Sequence, residues 1–152
     1  MKIRPYRPAD RAVLLDLFYH TVHTVCARDY TPAQLDAWAP KQADKTAWDA
    51  KFRTGTTLVA EDDGKVLLGF GSIGEDGFLD LLYVHKDHQG RGVGSILCDF
   101  LEGLYPIESV TVHASKTAKP FFEARGYRVT QPQTVERRGQ RLTNYVMEKE
   151  LM

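Results

Sequence analysis

One stretch constrains this chain more than any other. Leu79-Asp80-Leu81-Leu82-Tyr83-Val84-His85 has the apolar density of a buried strand, and from Gly92 onward apolar residues recur at helical spacing. Between them, Gly90, Gly92 and Gly94 place three glycines in five residues. A strand that enters a helix through such a loop builds an anion site. The first amides of a helix lack intrahelical acceptors, and the helix dipole adds partial positive charge at that end. Glycines remove the β-carbons that would hold a phosphate away from the backbone. Arg91 can add a charge-assisted contact.

Two common owners of glycine loops do not fit. A Walker loop needs a lysine and then Ser or Thr after its last glycine, whereas Ser95 follows Gly94 with no lysine. A dinucleotide fingerprint opens a βαβ unit and ends its next strand on an acidic residue. Here the loop comes after three strand-like runs, and the next strand ends at His113.

The rest of the chain reads as one domain, 1–152, without repeats or linkers. Residues 2–5 suit a short strand. Leu14, Leu17, Phe18, Val22 and Val25 then follow helical spacing, with Pro8 in the first turn. Thr31-Pro32-Ala33-Gln34 is a capping-box start for a helix that Pro40 ends, and Asp44 caps another running through Trp48 to about Phe52. Strands are expected at Thr56–Glu61, Lys65–Ile73 and Phe78–His85. In the helix after the loop, Ile96, Leu97, Phe100, Leu101 and Leu104 fall on one face. Glu108–His113 returns to strand, Lys116–Arg125 is helical, and Tyr127–Glu136 with Leu142–Glu148 closes as a hairpin over Arg138-Gly139-Gln140. The expected fold is α/β (α+β), with a mixed, largely antiparallel central sheet flanked by helices on both faces. Its order is β-α-α-β-β-β-α-β-α-β-β.

Composition narrows the function classes. Twenty Lys+Arg balance twenty Asp+Glu, which argues against a chain built to coat nucleic acid or an anionic membrane. Cys26 and Cys98 cannot form a disulfide framework, and neither has metal-ligand spacing. His20/His23 and His85/His88 lack a Cys or carboxylate partner in register, so no metal is expected. No apolar run reaches membrane-spanning length, and the opening MKIRPYRPAD carries no hydrophobic segment, so the expectation is a cytoplasmic protein.

Three segments in register then carry a family resemblance. Gln89-Gly90-Arg91-Gly92-Val93-Gly94 is similar to the Q/R-x-x-G-x-G/A pyrophosphate loop of the GNAT superfamily of N-acetyltransferases. Leu82-Tyr83-Val84-His85 resembles the family's fourth strand. Ala118-Lys119-Pro120-Phe121-Phe122-Glu123-Ala124-Arg125-Gly126-Tyr127 resembles its A-x-x-F-Y-E-x-x-G-F segment. The resemblance implies acetyl-CoA as cosubstrate, with the diphosphate on Gln89, Gly90, Arg91, Gly92, Val93, Gly94 and Ser95. It implies the pantetheine arm beside Leu82, Tyr83 and Val84, where the fourth strand diverges from the fifth at a bulge. The Leu82 amide is then the candidate oxyanion donor. Ser115, Lys119 and Phe121 are further cofactor candidates, although Phe121 also suits a core and Lys119 a solvated helix.

The implied reaction is transfer of acetyl to a primary amine, of a small molecule or a peptide, by direct attack. An alkylammonium must first lose a proton, and the family's position for a carboxylate base falls on Asp80. Simple strand alternation puts Asp80, Leu82 and Val84 on one face, unless a bulge intervenes. Phe122 stands where relatives carry an acidic tyrosine, so Tyr83, Tyr127 or Tyr145 must replace it, or solvent. Tyr145, on the last strand near the expected acceptor cleft, is the preferred phenol, and His113 is a candidate relay. The acceptor lining is expected from Tyr19, His23, Tyr30 and Trp38, with Asp29 and Trp48 nearby. Cys98 is read as packing and not as a nucleophile. Dimers are common in the family, but no patch in this sequence decides the oligomeric state. The loss of the tyrosine leaves a second reading open, a non-catalytic acyl-CoA-binding or regulatory module. A third is a nucleotide-binding domain unrelated to CoA.

Overall fold

Local signals set the helix ends. In the computed structural model, which describes residues 1–151, the Thr31 hydroxyl accepts from the Gln34 amide at 3.2 Å and the Gln34 side chain accepts from the Thr31 amide at 2.8 Å. This reciprocal pair starts α2, Pro32–Trp38. Asp44 caps α3, Lys45–Arg53, by accepting from the Ala47 amide. Ahead of them, a 3₁₀ turn over Pro8–Asp10 leads into α1, Arg11–Val25, so Pro8 opens the turn before the helix and not the helix itself.

Seven strands form one sheet: β1 (Lys2–Pro5), β2 (Thr56–Glu61), β3 (Leu67–Ile73), β4 (Phe78–Val84), β5 (Ser109–Ser115), β6 (Arg128–Arg137) and β7 (Gln140–Glu150). Their spatial order is β1-β2-β3-β4-β5-β7-β6, and every pairing is antiparallel except β4 with β5. Helix α4 (Val93–Glu102) crosses from β4 to β5, and α5 (Lys119–Ala124) follows β5. The fold class agrees with the sequence reading, as does the order from β2 onward; between β1 and β2, however, three helices stand where the expected order had two, because Pro40 and the Asp44 cap divide α2 from α3.

The sheet separates two hydrophobic cores. On one face, Val93, Leu97, Cys98 and Leu101 of α4 and Phe122 of α5 meet Leu58, Ala60, Leu79, Val110, Val112 and Met147. Gly69 and Gly71 make this docking close. A β-carbon at Gly71 would lie 2.8 Å from Leu101 Cδ1, and one at Gly69 would lie 3.3 Å from Leu97 Cδ1. On the other face, α1–α3 bring Leu14, Leu17, Phe18, Val22, Leu35 and Phe52 against Val59, Phe70, Leu81 and Leu142. One expectation about α4 needs correction. Leu97 and Leu101 are buried, but Phe100 is 53% exposed and Leu104 40%, because the true inner face runs through Val93, Leu97, Cys98 and Leu101. Among the described residues no helix is long and apolar enough to cross a membrane.

Candidate active site

The site begins where the sheet comes apart. β4 and β5 are paired only at Phe78↔Thr111 and Leu79↔Val112, and beyond those residues they diverge. The β4 register against β3 passes from Leu79 opposite Ile73 to Leu81 opposite Ser72, so Asp80 is the extra residue of a bulge. The bulge shifts the phase of the strand. Leu79, Leu82 and Val84 pack with the α4 core, and Leu81 and Tyr83 with the α1 core. Asp80 therefore does not simply share a face with Leu82 and Val84, as uninterrupted alternation would require. It opens onto both sides of the sheet.

Two cavities meet there. The first, about 350 Å³, lies in the cleft between β4 and β5 and is bounded by Thr21, Leu82, Val84, Gln89, Gly94 and Phe121, among others. The second, about 400 Å³, lies under α1–α3 and the β6–β7 hairpin. Trp38, Asp80, Tyr83, His113 and Ser115 line both.

The glycine loop borders the first cavity through Gln89 and Gly94. Gly90 (φ +71°) and Gly92 (φ +81°) adopt left-handed backbone, and a β-carbon at either would meet no atom within 4 Å. Gly92 caps α4 without any side-chain bond, and no side chain among the described residues accepts from the amides of residues 90–95. The loop thus presents free helix-start donors to open space, as a diphosphate requires. Its base is pinned: the Val84 carbonyl accepts from Thr21 Oγ1 at 2.9 Å and from Gln89 Nε2 at 2.7 Å. Arg91 is exposed, with Nη1 3.4 Å from His88 Nδ1. The Val93 side chain is buried in the core, leaving only its amide to the loop. The Ser95 carbonyl accepts from Arg125.

Electrostatics at the junction are simple. The Asp80 carboxylate, with 34% of its side chain exposed, lies 3.4 Å from Lys51 Nζ. Tyr83 is held edge-on to Phe18 with ring centres 4.8 Å apart, and burial pushes its phenol well above the usual tyrosine range. His113 meets Phe78 edge-on at 4.9 Å. Ser115 Oγ accepts from the Ala118 amide, starting the turn into α5. Phe122, 2% exposed, lines the first cavity with no hydroxyl to offer.

Other predicted residues lie apart from the cavities. Tyr145 lines neither. Its ring packs toward the α4 core, beneath Lys119 Nζ at 5.3 Å, because the alternation of β7 turns Asn144 and not Tyr145 into the second cavity. Lys119 also lies outside and pairs with Glu123. Tyr19 and His23 stack on each other at 4.2 Å, and His23 Nε2 donates to the Ala39 carbonyl, so they join α1 to α2 outside the cavities. Tyr30 lines the second cavity with its hydroxyl already engaged, donating to the Thr143 carbonyl and accepting from the Lys116 amide. Asp29 accepts from Thr117 Oγ1. Sequence reasoning missed Thr21, Lys51, Asn144 and Arg137, which reach the site only through tertiary packing. No cluster of three His, Cys, Asp or Glu side chains suited to a metal occurs among the described residues.

Comparison with known proteins agrees with this geometry. The sequence model of the acetyltransferase (GNAT) domain matches residues 26–149. The uncharacterized N-acetyltransferase YafP of Escherichia coli K12 is 38% identical over 148 residues, 97% of this chain and 94% of that protein. The L-amino acid N-acyltransferase MnaT of the same organism is 31% identical over 103 residues, 62% of this chain and 56% of MnaT. Among solved structures, a GCN5-related N-acetyltransferase (Aminotransferase, Class-II) from Rhodopseudomonas palustris superposes with a TM-score of 0.94 at 40% identity, covering 99% of this chain and 95% of that one. With a family match across most of its length and a relative aligned nearly end to end, the chain belongs to the GNAT superfamily of N-acetyltransferases, acyltransferases whose cosubstrate is acetyl-CoA.

Proposed function

We propose that this enzyme moves an acetyl group from acetyl-CoA directly to a primary amine, with both molecules bound at once. The observation that carries this reading is the junction. A cleft edged by unpaired helix-start amides opens, at a carboxylate, into a separate aromatic chamber on the other side of the sheet. The relatives' names point to amine acceptors as well: one is an L-amino acid N-acyltransferase and another a peptidyl-lysine N-acetyltransferase.

In this reading the amides of Gln89 through Ser95 hold the diphosphate, and the first cavity holds the pantetheine arm beside Leu82, Tyr83 and Val84. Phe121 and Ser115 border that arm, and Thr21 with Gln89 fixes the strand end that carries it. Bound there, acetyl-CoA supplies an activated thioester carbonyl. The Leu82 amide serves as the oxyanion donor, since the bulge frees this part of β4 from β5. Asp80 accepts the ammonium proton, and His113, on the opposite lip, relays it to solvent. Tyr83, and not Tyr145, is the phenol at the junction, but it does not act as the acid. Because burial keeps its phenol protonated, it gives a hydrogen bond at the junction, while solvent provides the proton for the departing thiolate. A covalent acyl-enzyme is disfavoured. Burial pushes the Cys98 thiol up to about 12 and the Cys26 thiol up to about 11, so neither is a thiolate at neutral pH.

The test is release of free CoA from acetyl-CoA across a panel of amines. Amine-dependent turnover with acetylated product supports the reading. Tight CoA binding without turnover on any amine would instead mark a binding module.

A further inference from the structure

The polar groups of the acceptor chamber are not evenly matched, and their mismatch describes a substrate. Its wall is aromatic, formed by Phe18, Tyr30, Trp38, Trp48 and Tyr83. Five charged residues border it, and four are already engaged. Asp80 faces Lys51 at 3.4 Å, Asp44 caps α3, and Arg138 donates to the Ala37 carbonyl at 2.7 Å, tying the hairpin to α2. The fifth, Arg137, is exposed, forms no ion pair among the described residues and, unlike Arg138, donates to no other element, only to the carbonyl of its neighbour Glu136. It stands at the chamber mouth as a cation awaiting an anion.

The inner end shows the opposite need. Asn144 Oδ1 is buried, lines the chamber and has no donor. Asn144 sits opposite Ser115 on β5, next to the junction, so this oxygen requires an N–H group at the reacting end, where the Asp80 carboxylate, held by Lys51 through one oxygen, can accept a second. An ammonium supplies three. From the Asn144↔Gln133 pair to the Arg137↔Gln140 pair is four residues along the hairpin, roughly 13 Å at strand spacing. An arginine side chain reaching inward spans about half of that. The remaining gap is longer than the spacing of ammonium and carboxylate in an α-amino acid and close to the length of a substituted benzene ring.

Resting on the amine-acetylation reading above, we infer that the preferred acceptor is an amine joined through an aromatic ring to a remote carboxylate, with Asn144 receiving the amine and Arg137 the carboxylate. Arg137 is then a specificity determinant for the anionic end, remote from the bond being made.

Three probes separate the possibilities: phenethylamine, 4-(2-aminoethyl)benzoate and phenylalanine. The wild-type enzyme is expected to favour the benzoate over phenethylamine by about tenfold in kcat/KM, the effect of one charge-assisted contact. Phenylalanine, whose carboxylate adjoins its amine, gains no such advantage. In R137A the benzoate-to-phenethylamine ratio falls toward one, and R137K restores part of it. A ratio near one in the wild type, or a tenfold ratio surviving in R137A, overturns this inference while leaving amine acetylation intact. Turnover on other amines but on none of these three overturns this inference alone, and no turnover on any amine with acetyl-CoA bound overturns both.

Discussion

Gly92 offers the sharpest test of the diphosphate cradle, because its substitutions separate backbone strain from charge. The residue sits at φ +81° with open space around its missing side chain, so alanine there meets no clash. Its cost is conformational. A left-handed L-residue costs roughly 1–2 kcal/mol, and the stiffer unfolded chain returns roughly 0.4–1 kcal/mol. Gly92→Ala should therefore destabilise the fold by about 1 kcal/mol, a fall in Tm of about 2–4 °C for a chain this size. Gly92→Glu carries the same cost and adds a carboxylate beside the helix-start amides. At about 5 Å and an effective dielectric of about 20, one unit charge repels another by about 3 kcal/mol. At an exposed, salt-screened loop roughly a third of that survives. Against two phosphate charges the expected loss is about 2 kcal/mol, or about 30-fold in CoA affinity. Calorimetric titration with CoA at low and high salt, beside thermal melts, measures both effects. The penalty should shrink as salt rises. If Gly92→Ala weakens CoA as much as Gly92→Glu does, or if the glutamate variant binds CoA like the wild type, the electrostatic account of the loop is wrong.

Three further outcomes follow from the same structure. Asp80→Asn should lower kcat by roughly a hundredfold or more, the usual worth of a general base, with KM for acetyl-CoA little changed; wild-type steady-state rates would remove Asp80 from the chemistry. Asp10 accepts two bonds from Arg4, both at 2.9 Å, and this guanidinium holds its carboxyl below the usual range. Its stabilisation is complete above the unfolded carboxylate pKa of about 4 and drains away as pH falls through the lower folded value. Asp10→Asn, which leaves buried Arg4 with Glu61 alone, should cost about 2–3 kcal/mol at neutral pH and make stability fall less steeply in acid, read by urea unfolding against pH; an unchanged acid slope would contradict the assignment. Leu97→Ala, at a fully buried position against β3, should cost about 3 kcal/mol in the same unfolding assay, and a loss under 1 kcal/mol would mean that α4 is not clamped as described.

What the sequence disclosed was mostly local. The Thr31–Gln34 box, the Asp44 cap and the strand Thr56–Glu61 each depend on neighbours a few residues away, and each is found where the pattern put it. The loop at Gly90–Gly94 was legible for the same reason, since its backbone requirement is written in glycines. Orientation was less legible. Tyr19 and His23 have suitable chemistry and helical spacing, but the packing of α2 against α1 turns them away from the cavities. Tyr145 and Asn144 are adjacent on β7, and only the register with β5 decides which of them faces the second cavity. The buried Arg4–Asp10–Glu61 group and the set in which Glu102 takes bonds from Arg125, Tyr127 and Lys149 join distant segments. No spacing rule announces either one.

The brief pairing between β4 and β5 has a mechanical meaning. Two rungs stitch the first four strands to the last three, so the sheet has a parting line, and the first cavity is that line held ajar. A ligand lying along it would supply the missing rungs and act as a splint. Amide exchange at Leu82–Val84 and His113–Ser115 should accordingly slow when CoA binds, and a pulling force applied across the sheet should open this seam before any other.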